Sequence, residues 1–588
     1  MQDRTGERKL LRSNQLLLKK YKQYLIPTMV TYAALSLNEF VDSMLVSNLL
    51  GSDAMAIVNL GMPLMLIISA VYFMIGNGGS TVYAIATGSR DHDKAGRSLT
   101  ASIAVAFVAG LLILGLGLIF ASPLASMLCR NQELLPSFRG YMKVLLLSAP
   151  FEIVILTFVS FLPSAGYPGF STAVNVIANV INIIMDYVYI HFFHMGVNGA
   201  AWATLTGYLC ATLVVAVAIL SHRMRFYVCR SVKKSLDIVR EIFDFGRPDA
   251  INQIGLSLQY AVCNGLVMTA AGTNGMVAFS LCQQSVSVMS VLIGAVIGSA
   301  IPLLSVLHGQ RDFRGEAGVL KFAMLNQFAF TVVGLVLLEV FAPQAAALYN
   351  ITEAAQFALS VTALRIFSLM FIPRNAVIVY YRYLKVIGLI RYSSLLSALD
   401  SFAAIIPIAW VMERLFGITG FWWAFPLTEA LLVAFILMCN RYYAAKSEGR
   451  LRGPLLVEED EEAKPVLDVT ISKESEDISS ISMTLQRVCE ENGFDKRDAM
   501  HAALAVEELA VYAANRKQQS SYMDVLVRLN KGNVEIDFRS VGETFHPLED
   551  DASDMRENVR LLRSLASSIE TESLLGMNST RIVIEAHR

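Results

Sequence analysis

Long apolar runs separated by short polar connections make up most of the 588-residue sequence. Each run holds roughly 20 residues or more, the length that an α-helix needs to cross a bilayer. The predicted spans are 25–47, 54–87, 98–121, 137–162, 168–192, 198–221, 247–271, 277–306, 320–342, 356–383, 392–413 and 419–443. The pattern predicts an all-α polytopic membrane protein with twelve transmembrane helices, followed by a small C-terminal α/β domain.

The fifth predicted span carries a stripe of polar residues. Asn175, Asn179, Asn182 and Asp186 are spaced by 4, 3 and 4 residues, which places them on one face of a helix. A carboxylate inside a bilayer is costly and usually marks a pathway or pocket. The asparagines alone would also fit hydrogen bonds that hold neighbouring helices together.

The first predicted span is also acidic. Asn38 and Asp42 lie one helical turn apart, with Glu39 on an adjacent face. Glu39 would either join a site with Asp42 or point into a water-filled vestibule. Two carboxylates that meet in a medium of low dielectric repel each other, so they would hold a proton or a Na⁺ between them.

Composition and charge place the chain in the membrane. It is 55% hydrophobic and 16% charged, and its net charge of −1 gives no information about partners. Alternate connections are rich in Arg and Lys, which predicts that both termini are cytoplasmic and that the protein is a multi-pass protein of the plasma membrane. Residues 1–24 are typical of a basic cytosolic segment and not of a signal peptide. The seven scattered cysteines fit neither a disulfide framework nor a zinc site.

The sequence repeats itself at an offset of 221 residues. The stretches that begin at 51, 88 and 196 return at 272, 309 and 417, as GSDAMAIVNL/GTNGMVAFSL, GSRD/GQRD and GVNGAAWA/GITGFWWA. We therefore predict two six-helix repeats around a central cleft, as alternating access requires. The predicted divisions are a basic N-terminal segment (1–24), an N-lobe (25–221), a basic inter-lobe loop (222–246), a C-lobe (247–446), a charged linker (447–465) and a C-terminal domain (466–588).

Several motifs in this order resemble the multidrug and toxic compound extrusion (MATE) transporters. They are D-x-x-x-V-x-x-x-x-G from Asp42, the GSRD turn, N-x-x-x-D ending at Asp186, and GVNGAAWAT from Gly196. The resemblance covers about residues 15–445. It implies a two-lobed antiporter that exports organic cations and other amphiphiles in exchange for H⁺ or Na⁺.

The resemblance also implies where the coupling ion binds. Its cation-binding residues correspond here to Asp42, Asp186, Asn182, Asn179 and Asn38, with Asp42 and Asp186 the ligands of a possible Na⁺. No other cofactor is expected. The acidic residue that some members carry in the seventh span is absent, which argues against a site confined to the C-lobe. The further candidates for the cleft are Asn175, Glu39, Gln259, Asn264, Asp400 and Tyr380.

The C-terminal domain resembles the anti-sigma-factor serine-kinase branch of the GHKL ATPases. Glu508 matches that family's helix, but Tyr512 replaces its Mg²⁺-binding Asn. Gly542 is kept, but Ser540 replaces the adenine-contacting Asp, and the lid that follows has no glycine. Since Tyr cannot hold Mg²⁺ as a carboxylate or amide does, the domain is expected to be a degenerate GHKL-like regulatory module without ATPase or kinase activity. It could bind a cytosolic protein partner.

Two other functions remain open from the sequence. One is a flippase or exporter of a lipid-linked or peptide product, and the other is a membrane ligand sensor that signals through the C-terminal domain. The pair of acidic spans argues against a pure sensor, because a sensor needs no coupling ion. We expect a monomer in the lipid bilayer with a small-molecule substrate and no nucleic acid.

Overall fold

A computed structural model describes residues 12–129, 133–221, 224, 226–229, 231, 235–348, 353–458, 465–472, 474–515, 522–530, 532–542 and 556–585. The first group of helices, called the N-lobe here, is α1 Gln15–Leu50, α2 Ser52–Tyr72, α3 Gly78–Gly88, α4 His92–Ile119, α5 Ala121–Leu128, α6 Leu135–Ser164, α7 Pro168–Tyr187 and α8 Val197–Leu220. The second group, the C-lobe, is α9 Val239–Gly309, α10 Phe313–Val340, α11 Ala342–Leu348, α12 Ala354–Ser368, α13 Phe371–Val386, α14 Ile390–Ala398 and α15 Ile405–Lys446. Three wider π-helical turns interrupt these helices. Phe73–Asn77 joins α2 to α3, Val188–Phe192 follows α7, and Leu399–Ala403 joins α14 to α15.

The helices of the described residues are long and apolar enough to form a membrane protein. Eight of them could cross a membrane, or nine if α12 and α13, which meet at 41°, count as one span. Two of the eight contain a break in which one glycine leaves the helical conformation, Gly272 in α9 and Gly417 in α15. The breaks fall where the sequence separates predicted spans seven from eight and eleven from twelve. The number of twelve spans stays a prediction.

The sequence repeat extends to the backbone. Gly51 and Gly272 have φ of 86° and 58°, and Gly196 and Gly417 have φ of 59° and 62°. Glycine reaches this left-handed region without the steric cost of a Cβ, which explains why both copies keep it. The turns GSRD and GQRD also match, because Asp91 caps α4 and Asp312 caps α10 by accepting backbone N–H bonds of 2.9 and 3.0 Å.

Two helices begin before the predicted spans. α1 begins at Gln15, ahead of the span 25–47, and α9 begins at Val239, inside the predicted loop 222–246. Most of that loop before 235 lies outside the described residues, as does 459–464 of the predicted linker 447–465. The rest of the linker forms a two-stranded hairpin, β1 Leu451–Arg452 with β2 Val457–Glu458. Its Leu451 and Leu456 are buried against the C-lobe, and this burial of apolar surface explains why the segment is ordered.

The C-terminal domain is a five-stranded antiparallel sheet with helices on one face. Its elements are β3 Leu467–Ser472, α16 Ser475–Glu491, α17 Lys496–Ala514, β4 Tyr522–Asn530, β5 Asn533–Ser540, α18 Arg556–Leu565, β6 Ser568–Leu574 and β7 Met577–Glu585. The strand order is β3-β4-β5-β7-β6. The sequence MRENVRLLRSLASSIE, residues 555–570, predicts one helix, but the helix ends at Leu565 and Ser568–Leu574 is the edge strand β6 paired with β7. Its mixed polar residues give no apolar alternation that would identify an edge strand.

Candidate functional site

A cavity of about 1860 Å³ lies between the two lobes. Its wall on one side is formed by α1, α2, α6, α7 and α8, and on the other side mainly by α9 and α13. Six of the residues singled out from the sequence line it, namely Asn38, Glu39, Asp42, Asn175, Asn179 and Asn182. The polar stripe of α7 and the acidic face of α1 are thus brought to one cavity.

Asp42 and Asp186 meet where α1 approaches α7. Asp42 lines the cavity and is half-buried, whereas Asp186 is fully buried behind it. Neither carboxyl oxygen of Asp186 has a hydrogen-bond donor among the described residues, and the neighbouring acidic group is Asp42. Tyr141 of α6 lies beside both carboxyl groups. A buried carboxyl pair without a cation or a donor needs a proton or a metal ion to neutralise it.

The asparagines around this pair are only partly satisfied. Asn182 donates to Thr204 Oγ1 at 3.3 Å, and Asn175 donates to the Ser171 carbonyl at 2.9 Å. Asn38 Oδ1 and Asn179 Nδ2 are buried without a hydrogen-bond partner among the described residues. A buried amide oxygen without a donor can complete an oxygen shell around a hard cation.

The cavity wall is more acidic than the predicted residues alone suggest. Glu39 is exposed at the wall, and Glu152 of α6 lines it beside Tyr208. Sequence reasoning missed Glu152, although a lone glutamate inside an apolar run gives the same signal as Asp186. On the C-lobe side the wall carries two cations, whose charge one carboxylate behind them offsets in part. Asp249 binds Arg382 at 3.2 Å and Lys385 at 2.6 Å.

Four candidates from the sequence do not line the cavity. Gln259 is buried in α9, Asn264 is exposed on the same helix, and Tyr380 is buried in the C-lobe core. The fourth, Asp400, is buried in a separate cluster inside the C-lobe. These four residues are not part of the cavity wall in this conformation, and the cleft role predicted for them stays a prediction.

The C-lobe cluster holds one cation beside two carboxyl groups. Asp400 accepts a hydrogen bond from Asn252 at 3.3 Å, and Arg374 lies 3.9 Å from both Asp400 and Glu429. Arg374, Asp400 and Glu429 are each buried. The guanidinium offsets one of the two carboxyl charges, whereas no cation among the described residues pairs with Asp42 or Asp186 of the N-lobe.

The lobes touch at one end, which we call the docked end because the C-terminal domain covers it. There α3 crosses the last turns of α9 with almost no space between the backbones. A Cβ on Gly88 would lie 2.2 Å from the Val306 carbonyl oxygen, and a Cβ on Gly309 would lie 2.1 Å from that of Ile85. Gly88 and Gly309 are equivalent in the repeat, as are Ile85 and Val306. The cavity is thus closed at the docked end by a nearly symmetric crossing of glycines.

The positions that the sequence compares with the GHKL family lie in or beside the core of the C-terminal domain. Tyr512 is fully buried in the domain core, and Glu508 is half-buried on the same helix. Ser540 is buried at the end of β5, and Gly542 follows it. The predicted lid lies mostly outside the described residues, which omit 543–555.

Fold and site together define a polytopic membrane protein built as a two-lobed transporter. Residues 27–188 match the family model MatE. Among its relatives are two proteins named multidrug export protein MepA. The one from Staphylococcus saprophyticus is 23% identical over 393 residues, which cover 66% of this chain and 86% of that protein. The one from Staphylococcus aureus (strain MSSA476) is 25% identical over 390 residues, which cover 65% and 84%.

Solved structures share this fold. A multidrug resistance MATE family transporter of the MOP superfamily in an outward-facing conformation has a TM-score of 0.68 at 22% identity, covering 75% of this chain and 100% of that chain. A MOP superfamily transporter from Pyrococcus furiosus has a TM-score of 0.67 at 23% identity with the same coverage. The chain is therefore similar to MATE multidrug export transporters, which are not enzymes.

Proposed function

We propose that this protein is a secondary active antiporter that exports organic cations and other amphiphiles in exchange for H⁺ or Na⁺ by alternating access. It acts in the plasma membrane with both termini and the docked end on the cytoplasmic side. The C-terminal domain regulates transport and has no catalytic role. The observation that carries the proposal is the pair of Asp42 at the cavity wall and Asp186 buried behind it, two carboxyl groups without a described cation to balance them.

The pair supplies the link between the ion and the conformation. When it is charged, repulsion inside an environment of low dielectric favours separation of α1 from α7. When a proton or Na⁺ binds, the two helices can approach each other. An ion that binds one arrangement more tightly shifts the balance between conformations, and this difference in affinity is what drives alternating access.

The wall charges support cations as the exported substrates. Glu39 and Glu152 stand on the N-lobe side, while the basic Arg382 and Lys385 are offset by Asp249. A cavity with a net acidic wall attracts cationic amphiphiles and repels anionic head groups. This charge balance also favours drug-like cations over lipid-linked products, whose phosphates are anionic.

The test is transport by purified protein in proteoliposomes. We expect that a H⁺ gradient or a Na⁺ gradient drives movement of a fluorescent organic cation, and that Asp42→Asn and Asp186→Asn each reduce the driven rate more than about tenfold, as loss of a coupling group requires. Asp53→Asn is the matched control, because Asp53 is exposed in the first turn of α2. The proposal is wrong if either site variant transports at the rate of the unmodified protein, or if no gradient drives transport.

A further inference from the structure

The open face of the C-terminal sheet is covered by the docked end of the transporter. Asp468, Asp524 and Arg539 lie on β3, β4 and β5 and are buried, although α16 to α18 pack on the other face. Charged residues are rarely buried on a sheet surface unless partners neutralise them. Here the partners come from the transporter, so the domain is bound to it through a specific surface.

The C-lobe side of this contact is a buried ionic cluster, to which the segment before α1 contributes Arg12. Asp312 binds Arg12 at 2.7 Å and also binds Arg539, and each of these side chains is at most 4% exposed. Arg12 lies 3.3 Å from Asp468 as well. Burial alone would raise the pKa of Asp312, but Arg12 and Arg539 outweigh it and hold the pKa well below its usual range. Nearby, Arg528 donates to the carbonyls of the GQRD turn.

The N-lobe side of the contact uses the equivalent turn of the other repeat. Arg90, which matches Arg311, donates to the Glu570 and Ser579 carbonyls at 3.1 and 3.3 Å. His92 lies 2.6 Å from the Glu572 carboxylate. Glu570 and His92 are 58% and 38% exposed, so this contact is wetter and weaker than the buried cluster around Asp312. One rigid sheet therefore holds the GSRD and GQRD turns of both lobes at once.

The tip of the β6–β7 hairpin, residues Leu574–Met577, carries a residue that its own fold disfavours. Leu575 and Gly576 form a two-residue turn with φ of 56° and 69°. Such turns prefer Asn or Asp followed by Gly, and a leucine with positive φ is strained. Leu575 is nevertheless 2% exposed, because it packs with Tyr21 and Tyr24 of α1 in the core of the docked end.

The tip is also held by hydrogen bonds from α1. Lys20 donates to the Gly576 carbonyl at 3.0 Å, and Tyr24 shares its hydroxyl between the carbonyls of Leu575 and Pro163, at 3.4 and 3.1 Å. The strain at Leu575 thus serves binding to the transporter and not the stability of the hairpin.

We propose that the C-terminal domain is an intramolecular latch, which holds the docked ends of the two lobes together until the hairpin tip leaves the N-lobe. This inference rests on the proposed alternating access, since only that motion separates the GSRD turn from the GQRD turn. The domain stays on the C-lobe, to which it is joined by the chain and by the buried cluster. Its release from the N-lobe permits the docked end to open.

The test measures the distance between spin labels on the two lobes in the full chain. The labels replace Asp93 and Lys321, exposed residues near the docked end of α4 and of α10, in a background without the native cysteines. Leu575→Asn supplies the residue that the turn prefers and removes the buried leucine. We expect the population with separated lobes to rise about tenfold, the effect of losing one buried leucine. Hydrogen exchange in β4 should stay unchanged, because the domain still folds.

Two further variants make the result specific. His92→Ala removes an exposed contact at the same interface and should shift the distances in the same direction, though less. Met483→Asn changes an exposed residue on α16 and should shift nothing. Unchanged distances in both Leu575→Asn and His92→Ala would overturn the latch. The distance measurement needs no substrate. If the unmodified protein and all variants fail to transport, the antiporter proposal is refuted, and the spin-label distances still test the latch.

Discussion

The glycine crossing at the docked end allows a prediction about the balance between conformations. Gly88→Ala places a Cβ 2.2 Å from the Val306 carbonyl oxygen, whereas ordinary contacts begin at 3.4 Å. The two backbones must therefore move apart by about 1 Å, and cores that are packed at crystal density resist such insertions. Overpacking costs about 1–3 kcal/mol, and only the conformation with the docked end closed pays it.

This cost should shift the equilibrium toward separation of the docked ends by about 5-fold to 150-fold. The assay is the spin-label distance between positions 93 and 321. Gly309→Ala should give a similar shift, because its Cβ meets the equivalent carbonyl of Ile85 at 2.1 Å. Gly115→Ala is the matched control, since nothing lies within 4 Å of a Cβ there. If both crossing variants keep the distances of the unmodified protein, the crossing does not hold the lobes closed.

Two further predictions concern buried charges. Arg374→Gln leaves two buried carboxyl groups without their cation and should lower the free energy of unfolding by about 3–5 kcal/mol. The control is Arg414→Gln, whose Arg stacks on the exposed Trp410 and whose loss should change the free energy of unfolding by less than about 1 kcal/mol. Thermal unfolding measures both, and equal losses would contradict the prediction. Burial lowers the pKa of Lys20 to about 8, whereas an exposed lysine has a pKa of about 10.4. Between these two pH values the docked domain binds fewer protons than the undocked one, so docking should tighten by at most tenfold per pH unit, and it should stay level below pH 8. Spin-label distances over this range measure it, and in Lys20→Met the dependence should disappear.

Much of the site could be predicted because its signals are local. Polar residues at helical spacing in an apolar span must share one face, and Asn175, Asn179 and Asn182 do line the cavity with Asp42. The three repeated stretches likewise predicted two similar halves, and the structure gives Gly51 and Gly272 the same left-handed backbone. These inferences need only the period of a helix and the cost of a charge in a bilayer.

What the sequence could not supply depends on partners far away in the chain. Asp400 has the same sequence signal as Asp186, but its environment is decided by Arg374 and Glu429 from other helices. The cluster around Asp312 joins Arg12 to residues 300 and 456 positions away. The strand β6 was missed because an edge strand with polar residues has no periodic pattern. Leu575 stands out only once the turn that contains it is known.

The two lobes share a backbone and differ in charge, and this difference divides the work between them. In the C-lobe, Arg374 lies beside both carboxyl groups and offsets one of their two charges. In the N-lobe, no cation among the described residues pairs with Asp42 or Asp186, so binding one proton or Na⁺ directly lowers the repulsion between them. The C-terminal domain binds Asp312 of the C-lobe through buried charges and holds the N-lobe at the GSRD turn and at a strained tip, so we expect the lobe that senses the ion to be the one that the domain releases. Ion binding and the latch would then act on the same moving part, the N-lobe with α1.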